Sequence, residues 1–182
     1  MSITSKERKF AATHLKETKT DLLKSVKGLS QAQLDFKASS HKRSIKECAY
    51  QIAVAEKSTW NILEEALKEP ANPERRPEIK MTDDQLIKMI EDRSSDFKTT
   101  EKLEPKKSPF KTVEEALDAF KSARAEHIKY IKNTTEDLRN HIMKMSFGWV
   151  DCYQLCLFMS AHSNCYMQQI EKIKLDPKFP SR

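Results

Sequence analysis

The fold of this chain is decided by its last long helical stretch, residues 151–174, which have the sequence DCYQLCLFMSAHSNCYMQQIEKIK. Asp151 followed by Gln154 has the spacing of an N-terminal capping box, and Pro177 lies beyond the far end, where it prevents the helix from continuing. One set of residues recurs every three or four positions and therefore shares one helix face. These residues are Leu155, Phe158, Met159, His162, Cys165, Tyr166, Gln169 and Ile173. The face begins apolar and becomes polar from His162 onward, which predicts a buried helix that carries polar groups into the core.

Four further stretches upstream combine apolar residues at helical spacing with a recognisable start or stop. With the last stretch, the expected helices run from about Ser5 to Lys27, from Ser44 to just before Pro70, from Thr82 through Phe97, from Thr112 to about Asn133 and from Asp151 to about Lys174. Proline-rich connections separate the second helix from the third and the third from the fourth. Long amphipathic helices of matched length predict an all-α, up-and-down-type four-helix bundle with one additional short helix. We expect a single domain that spans residues 1–182.

Composition supports this fold and excludes several classes of protein. The chain has only 2 Gly but 33% charged residues, a balance that favours long helices over sheets with tight turns. Its net charge of +6 comes from 33 basic and 27 acidic residues that often adjoin, which indicates solvated helix faces rather than a nucleic-acid surface. No apolar run is long enough to span a membrane, and none resembles a signal peptide. The four cysteines form no CxxC pair, so we expect reduced thiols and a cytoplasmic location.

Two segments carry a resemblance to the DinB-like family. Residues 44–53, SIKECAYQIA, resemble the family segment written Trp-Ser-x-x-Glu-x-x-x-His, and residues 161–170, AHSNCYMQQI, are similar to its closing motif, His-x-x-x-His-x-x-Gln-Ile. The turn at residues 147–149, FGW, and the tail at residues 176–180, DPKFP, also fit one branch of that family. The resemblance implies a helical bundle with a divalent metal held by three histidines, one from the second helix and two from the last. Some relatives are thiol transferases or thiol-dependent isomerases.

This chain departs from the family pattern at two of the three ligand positions. The three positions hold Gln51, His162 and Tyr166, of which only His162 matches the pattern. Before the capping serine, Arg43 stands where the family has a tryptophan. An amide oxygen and a neutral phenol are weak zinc ligands, and one imidazole does not hold zinc tightly. We therefore expect no tightly bound cofactor, with His162 as a weak metal ligand. Zinc or nickel would bind only if the family site survives.

Other side chains are candidates for the same pocket. Cys48 and Cys165 each lie three residues from a former ligand position. They either join His162 in a replacement metal site or pack as small apolar side chains in the core. We favour core packing. Glu56 either forms hydrogen bonds within the site or faces solvent. Arg124 either holds an anionic ligand at the pocket or forms a surface salt bridge. His14, His41, His127 and His141 have no metal-ligand spacing, and we assign them no role.

Three functional hypotheses follow. The leading one is a small-molecule-binding protein or degenerate enzyme, with an inter-helix pocket lined by Gln51, His162 and Tyr166 and no tightly bound metal. The second is a metal-dependent thiol transferase or hydrolase that uses His162 and nearby cysteines. The third is a structural or interaction bundle, with a homodimer as the expected assembly. None of the three predicts a nucleic-acid or membrane partner.

Overall fold

A computed structural model of the chain describes residues 3–92 and 108–181. Its helices are α1 (Ser5–Val26), α2 (Gln31–Asp35), α3 (Ile45–Lys68), a 3₁₀ helix (Pro73–Glu78), α4 (Asp83–Glu91), α5 (Val113–Asn133) and α6 (Cys152–Lys174). Its strands are β1 (Ile142–Met145) and β2 (Gly148–Asp151). The expected fold class is confirmed: four long helices form a bundle, and α4 is the additional short helix. The part of the third helix expected to reach Phe97 lies outside the described residues.

The four long helices pack in a ring in which each contacts two others. The extensive pairs are α1 with α5 and α6, and α3 with α5 and α6. Consecutive long helices α1 and α3 therefore lie at opposite corners, and so do α5 and α6. Helix α4 packs against α6. The arrangement places α3 beside α6, which brings the two segments that resemble the DinB-like family onto neighbouring helices.

Side-chain caps fix the helix starts, as the sequence indicates. Ser44 Oγ accepts from the Glu47 amide, and the Glu47 carboxylate accepts from the Ser44 amide, so both halves of the capping box form at α3. At α5 and α6 only the first half forms. Glu115 accepts from the Lys111 amide instead. Gln154 donates its side-chain amide to the Met81 carbonyl, and its side-chain oxygen has no partner among the described residues. Helix α1 ends beside Gly28, whose φ of 73° suits a residue without a Cβ.

The two-stranded hairpin before α6 is a feature that the helical periodicity did not predict. Its strands are antiparallel, with Ile142 opposite Asp151 and Met145 opposite Gly148. Asn72, in the connection after α3, donates to the Ile142 carbonyl at 2.9 Å and accepts from its amide at 2.8 Å. Strands of four residues are too short to show a period of two in the sequence, and a tertiary partner stabilises this pair. The hairpin fixes where α6 begins, since Asp151 both ends β2 and caps the helix.

Candidate functional site

The three positions at which the family has metal ligands lie on the facing helices α3 and α6. His162 and Tyr166 are buried in α6, and their rings lie 4.9 Å apart, centroid to centroid. Tyr166 belongs to the same apolar cluster as Cys48, which lies one helical turn before Gln51 in α3, and Ile52, which follows Gln51 directly. Gln51 itself is half-buried. Direct contact between Gln51 and the pair in α6 stays a prediction.

The surroundings of His162 keep its imidazole neutral. The ring lies between two aromatic neighbours, Phe158 at 5.4 Å and Tyr166 at 4.9 Å between centroids. Burial lowers the pKa of His162 to about 4; the negative charge of Glu56 opposes this shift, and the positive charges of Arg124 and Arg43 add to it. An imidazole in this environment accepts or donates hydrogen bonds as a neutral group at physiological pH.

A cleft of about 750 Å³ opens beside these residues. Its walls are the connection from Lys37 to Arg43, the first two turns of α3, the last two turns of α6 and Ser108. Of the three former ligand positions, Gln51 is the one found among the described residues that line the cleft. The Gln51 amide oxygen is buried and accepts no hydrogen bond from any described residue. A buried amide oxygen without a hydrogen bond costs about 1–3 kcal/mol of stability, so a ligand that donates a hydrogen bond to Gln51 would be favoured.

Arg43 connects the cleft to the buried pair. Its side chain lines the cleft, and its guanidinium carbon lies 5.7 Å from the centre of the Tyr166 ring, within the range of a cation–π contact. Arg43 and Tyr166 are both positions at which the sequence departs from the family pattern. The sequence alone assigns Arg43 no role. The basic residues Lys37, Lys42 and Arg43 just before α3 were a signal that could have indicated one.

Glu56 and Arg124 are buried and are not among the residues that line the cleft, which corrects two expectations, a solvent-facing Glu56 and a surface salt bridge of Arg124. Arg124 is fully buried, and its guanidinium donates to both Glu56 carboxylate oxygens at 2.7 Å. Glu56 is 3% exposed, so it does not face solvent, and Arg124 does not form a surface salt bridge. Burial would raise the pKa of Glu56, but the charge and hydrogen bonds of Arg124, with help from His127, lower it overall. The pair is an internal ion pair of the bundle core.

This core network joins all four long helices. From α5, Arg124 also donates to the Leu15 carbonyl of α1 at 3.2 Å and to Ser163 Oγ of α6 at 3.1 Å. His127, to which the sequence assigned no role, lies 2.7 Å from Glu56 through its Nδ1 and stacks on Trp60 with 3.9 Å between ring centroids. The only sequence signal for this network is two polar residues, Arg124 and His127, on the same face of α5.

The thiols nearest the former ligand positions are buried in the core. Cys48 is completely buried and Cys165 nearly so, as core packing predicts. Burial raises the pKa of Cys48 to about 12 and also raises that of Cys165, which disfavours the thiolates that zinc requires. Within residues 3–92 and 108–181, no three His, Cys, Asp or Glu side chains are grouped to hold a metal ion.

The residues at the family's ligand positions do not fit a tightly bound divalent metal. They offer one neutral imidazole, one amide and one phenol, whereas a structural or catalytic zinc site takes at least three imidazole, thiolate or carboxylate ligands. The ring of Tyr166 is also packed in an apolar cluster of the core. No step of any reaction can be assigned to a metal from these groups.

No helix in the described ranges has both the length and the hydrophobicity needed to cross a membrane.

Comparisons with known proteins agree with the fold. The family model of the DinB superfamily matches residues 14–170. The structure is similar to that of YfiT from Bacillus subtilis, described as "a probable metal-dependent hydrolase with an unusual four-helix bundle topology". That match has a TM-score of 0.66 and 12% sequence identity, and it covers 95% of this chain and 89% of YfiT. No curated protein has significant sequence similarity to this chain.

Proposed function

The chain belongs to the DinB superfamily, and from that premise we propose that it binds a small polar molecule in the cleft between α3 and α6 without a tightly bound metal. One observation carries the proposal. Gln51, at a position where the family has a metal ligand, lines a cleft of about 750 Å³ and has a buried amide oxygen that no described residue satisfies. A cleft of this volume suits a small-molecule ligand. A ligand that donates a hydrogen bond to Gln51 would remove the cost of the unsatisfied group.

The buried pair lies in the core and does not itself line the cleft. The rings of His162 and Tyr166 pack against each other, and Arg43, which does line the cleft, lies over the Tyr166 ring. A rigid support of this kind lowers the entropy cost of binding because fewer side chains have to be ordered when a ligand enters. In this proposal, Gln51 and Arg43 contact the ligand, while His162 and Tyr166 position them.

The similarity to YfiT supports the alternative of a metal-dependent hydrolase, since that protein carries this description and shares the fold. The donor groups argue against it. Hydrolysis of that kind needs a metal held by several strong ligands with one open position for water. Gln51 and Tyr166 do not supply them, so we place this alternative second. A homodimer that serves as an interaction bundle stays a prediction, which sedimentation at several protein concentrations would test.

Side-chain amide NMR tests the proposal directly. Protein labelled with ¹⁵N would be titrated with neutral polyols, amines, carboxylic acids and phosphate esters, with the Gln51 signal assigned from a Gln51→Leu variant. We expect at least one class to shift the Gln51 amide and to bind more weakly to Gln51→Leu. The matched control is Gln168→Leu, which changes a half-buried glutamine near the end of α6 that is not among the residues lining the cleft. If no class moves the Gln51 signal, or if both variants bind alike, the proposal is wrong.

A further inference from the structure

A second groove, of about 720 Å³, lies between α1 and α4, which both pack against α6. Its walls are one face of α1, residues 82–84 at the start of α4, and Tyr153 of α6. We call it the α1–α4 groove. Among the described residues, it shares no lining side chain with the cleft between α3 and α6, so it is a separate candidate site.

Phe10 and His14 give the α1–α4 groove an aromatic wall. Phe10 is 42% exposed, although most large apolar side chains of the described chain are buried. Its ring stacks with that of His14, with 6.0 Å between the centroids and 25° between the planes. An exposed ring in a groove can pack against the ring of a ligand, in an offset or edge-to-face arrangement.

The charges that line the groove nearly balance. They are two lysines and four carboxylates: Lys6, Lys9, Glu7, Glu17, Asp83 and Asp84. Arg139 donates to both Glu7 and Asp83 at 2.6 Å, which offsets part of the acidic charge, and the two lysines offset the other two carboxylates. A surface in which opposite charges nearly cancel does not concentrate ions of either sign, so the groove favours an uncharged ligand.

The imidazole of His14 is positioned by a chain of hydroxyl groups that reaches the core network. Its Nδ1 lies 2.6 Å from Ser160 Oγ, and Ser160 Oγ lies 2.8 Å from Thr18 Oγ1. Arg124 donates to Thr18 Oγ1 at 3.0 Å. Ser160 is fully buried, so its hydroxyl positions the ring and does not reach a ligand in the groove.

This chain of hydrogen bonds can run in two directions. In the first, Thr18 donates to Ser160 and Ser160 donates to Nδ1, so the proton of a neutral His14 ring is on Nε2. In the second, Nδ1–H donates to Ser160, Ser160 donates to Thr18, and Thr18 donates to the His14 carbonyl at 3.0 Å. Arg124 is the donor to Thr18 in both, because a guanidinium has no acceptor. The second direction leaves Nε2 able to accept a hydrogen bond.

Nε2 is the ring nitrogen available to the groove, since Nδ1 points into the core. It forms no hydrogen bond with a described residue: the Glu91 carboxylate is 3.8 Å away and accepts from Asn164 at 2.7 Å. Burial lowers the pKa of His14, the negative charges of Glu91 in α4 and Glu17 in α1 oppose this shift, and Arg124 in α5 adds to it. The ring is therefore neutral at pH 7 and can act as an acceptor.

From these observations we infer that the α1–α4 groove binds a neutral phenol, whose ring packs on Phe10 and whose hydroxyl donates to Nε2 of His14. Donation by the ligand selects the second direction of the chain, in which every buried hydroxyl is bonded. The ligand keeps its proton, because the pKa of a phenol, about 10, is well above that of an imidazole. The inference is independent of the function proposed for the cleft between α3 and α6.

The test compares three probes at pH 7: phenol, anisole and benzylamine. Anisole has the same ring without the O–H, and benzylamine replaces the neutral donor by a cation. Binding would be followed by the ¹⁵N spectra of the full-length protein, in which long-range couplings of the His14 ring report its tautomer. We expect phenol to bind at least about fivefold more tightly than anisole, as one added hydrogen bond predicts, and to shift His14 toward the Nδ1–H form.

Three variants locate the effect. His14→Phe keeps a ring but removes Nε2, so it should bind phenol and anisole within about twofold of each other. Ser160→Ala removes the partner of Nδ1 and should weaken phenol without weakening anisole. The matched control is His41→Phe, an exposed histidine outside the groove, which should bind phenol within about twofold of the parent. Melting temperatures would check that the variants fold, and the comparison of probes in the parent needs no variant.

Several outcomes would overturn the inference. Equal binding of phenol and anisole to the parent would mean that the hydroxyl is not recognised. Tighter binding of benzylamine would make the groove a cation site. A His14 ring that keeps its proton on Nε2 in the phenol complex, or Phe10 and His14 signals that no probe moves, would count equally against it. None of these results bears on Gln51, so the proposed function would stand or fall separately.

Discussion

The buried ion pair of the core network predicts a large loss of stability when Arg124 is replaced by Met. Arg124 donates to both Glu56 oxygens at 2.7 Å and is fully buried, so the variant leaves a buried carboxylate without its main partner. Removing one partner of a buried pair typically costs about 3–5 kcal/mol. For a chain of this size, each kcal/mol lowers the melting temperature by about 2–4 °C, which gives a loss of roughly 6–20 °C.

Denaturant unfolding followed by circular dichroism would measure the loss, with two comparison variants. In Arg124→Met/Glu56→Met neither charge remains, and we expect it to be more stable than Arg124→Met alone, because a whole buried pair can be exchanged for apolar groups at little cost. The surface control is Lys68→Met, whose partner Glu65 and the lysine itself are 70% and 67% exposed. We expect that variant to keep nearly the stability of the parent, because an exposed ion pair contributes little. A loss below about 1 kcal/mol in Arg124→Met, or a double variant less stable than the single one, would refute the reasoning.

Three further predictions concern the site. Burial lowers the pKa of His162 to about 4 from an unfolded value near 6.5, so the unfolded chain takes up the proton first as the pH falls. Between pH 6.5 and pH 4 the free energy of unfolding of the parent should therefore fall by about 3 kcal/mol more than that of His162→Leu. Equal losses for the two proteins in unfolding experiments across that range would contradict this. A Gln51→Leu/His162→Leu/Tyr166→Phe variant should have a melting temperature equal to or higher than that of the parent, because it removes polar groups that are kept at the expense of packing. A drop of many degrees would instead show that the cluster is a structural element of the core. All four cysteines are buried, and burial raises the pKa of Cys48 to about 12, so a thiol reagent at pH 8 should modify none of them until the protein is unfolded. Rapid labelling of the native protein would contradict this burial.

Helix starts could be predicted from the sequence because their causes are local. Ser44 and Glu47 satisfy each other's amides over three residues, and Gly28 ends α1 for a conformational reason confined to one residue. The hairpin could not be predicted in the same way. Its strands are short, and the bonds that hold β1 to Asn72 join residues 70 positions apart. A sequence pattern records local spacing and does not show which distant backbone groups will meet.

The site was predictable in part for the same reason. The positions Gln51, His162 and Tyr166 could be found because a motif fixes their spacing, and their facing helices are neighbours in the bundle. The roles of Glu56 and Arg124 could not be predicted, because a charged side chain on a helix is usually exposed. Only the packing of four helices shows that this pair is enclosed. Arg43 was noticed as a departure from the family pattern, but its contact with Tyr166 depends on how the connection before α3 folds back onto α6.

Zinc titration of the untagged, metal-stripped protein tests the central claim most directly. Isothermal calorimetry would be applied to the parent and to a Gln51→His/Tyr166→His variant, which restores the family's three imidazole positions on the same scaffold. We predict well under one equivalent of tightly bound zinc in the parent. The variant should bind about one equivalent, because three imidazole ligands suffice for a zinc site with one open position. Stoichiometric, tight zinc binding by the unmodified protein would contradict the account and would make the metal-dependent hydrolase the leading function.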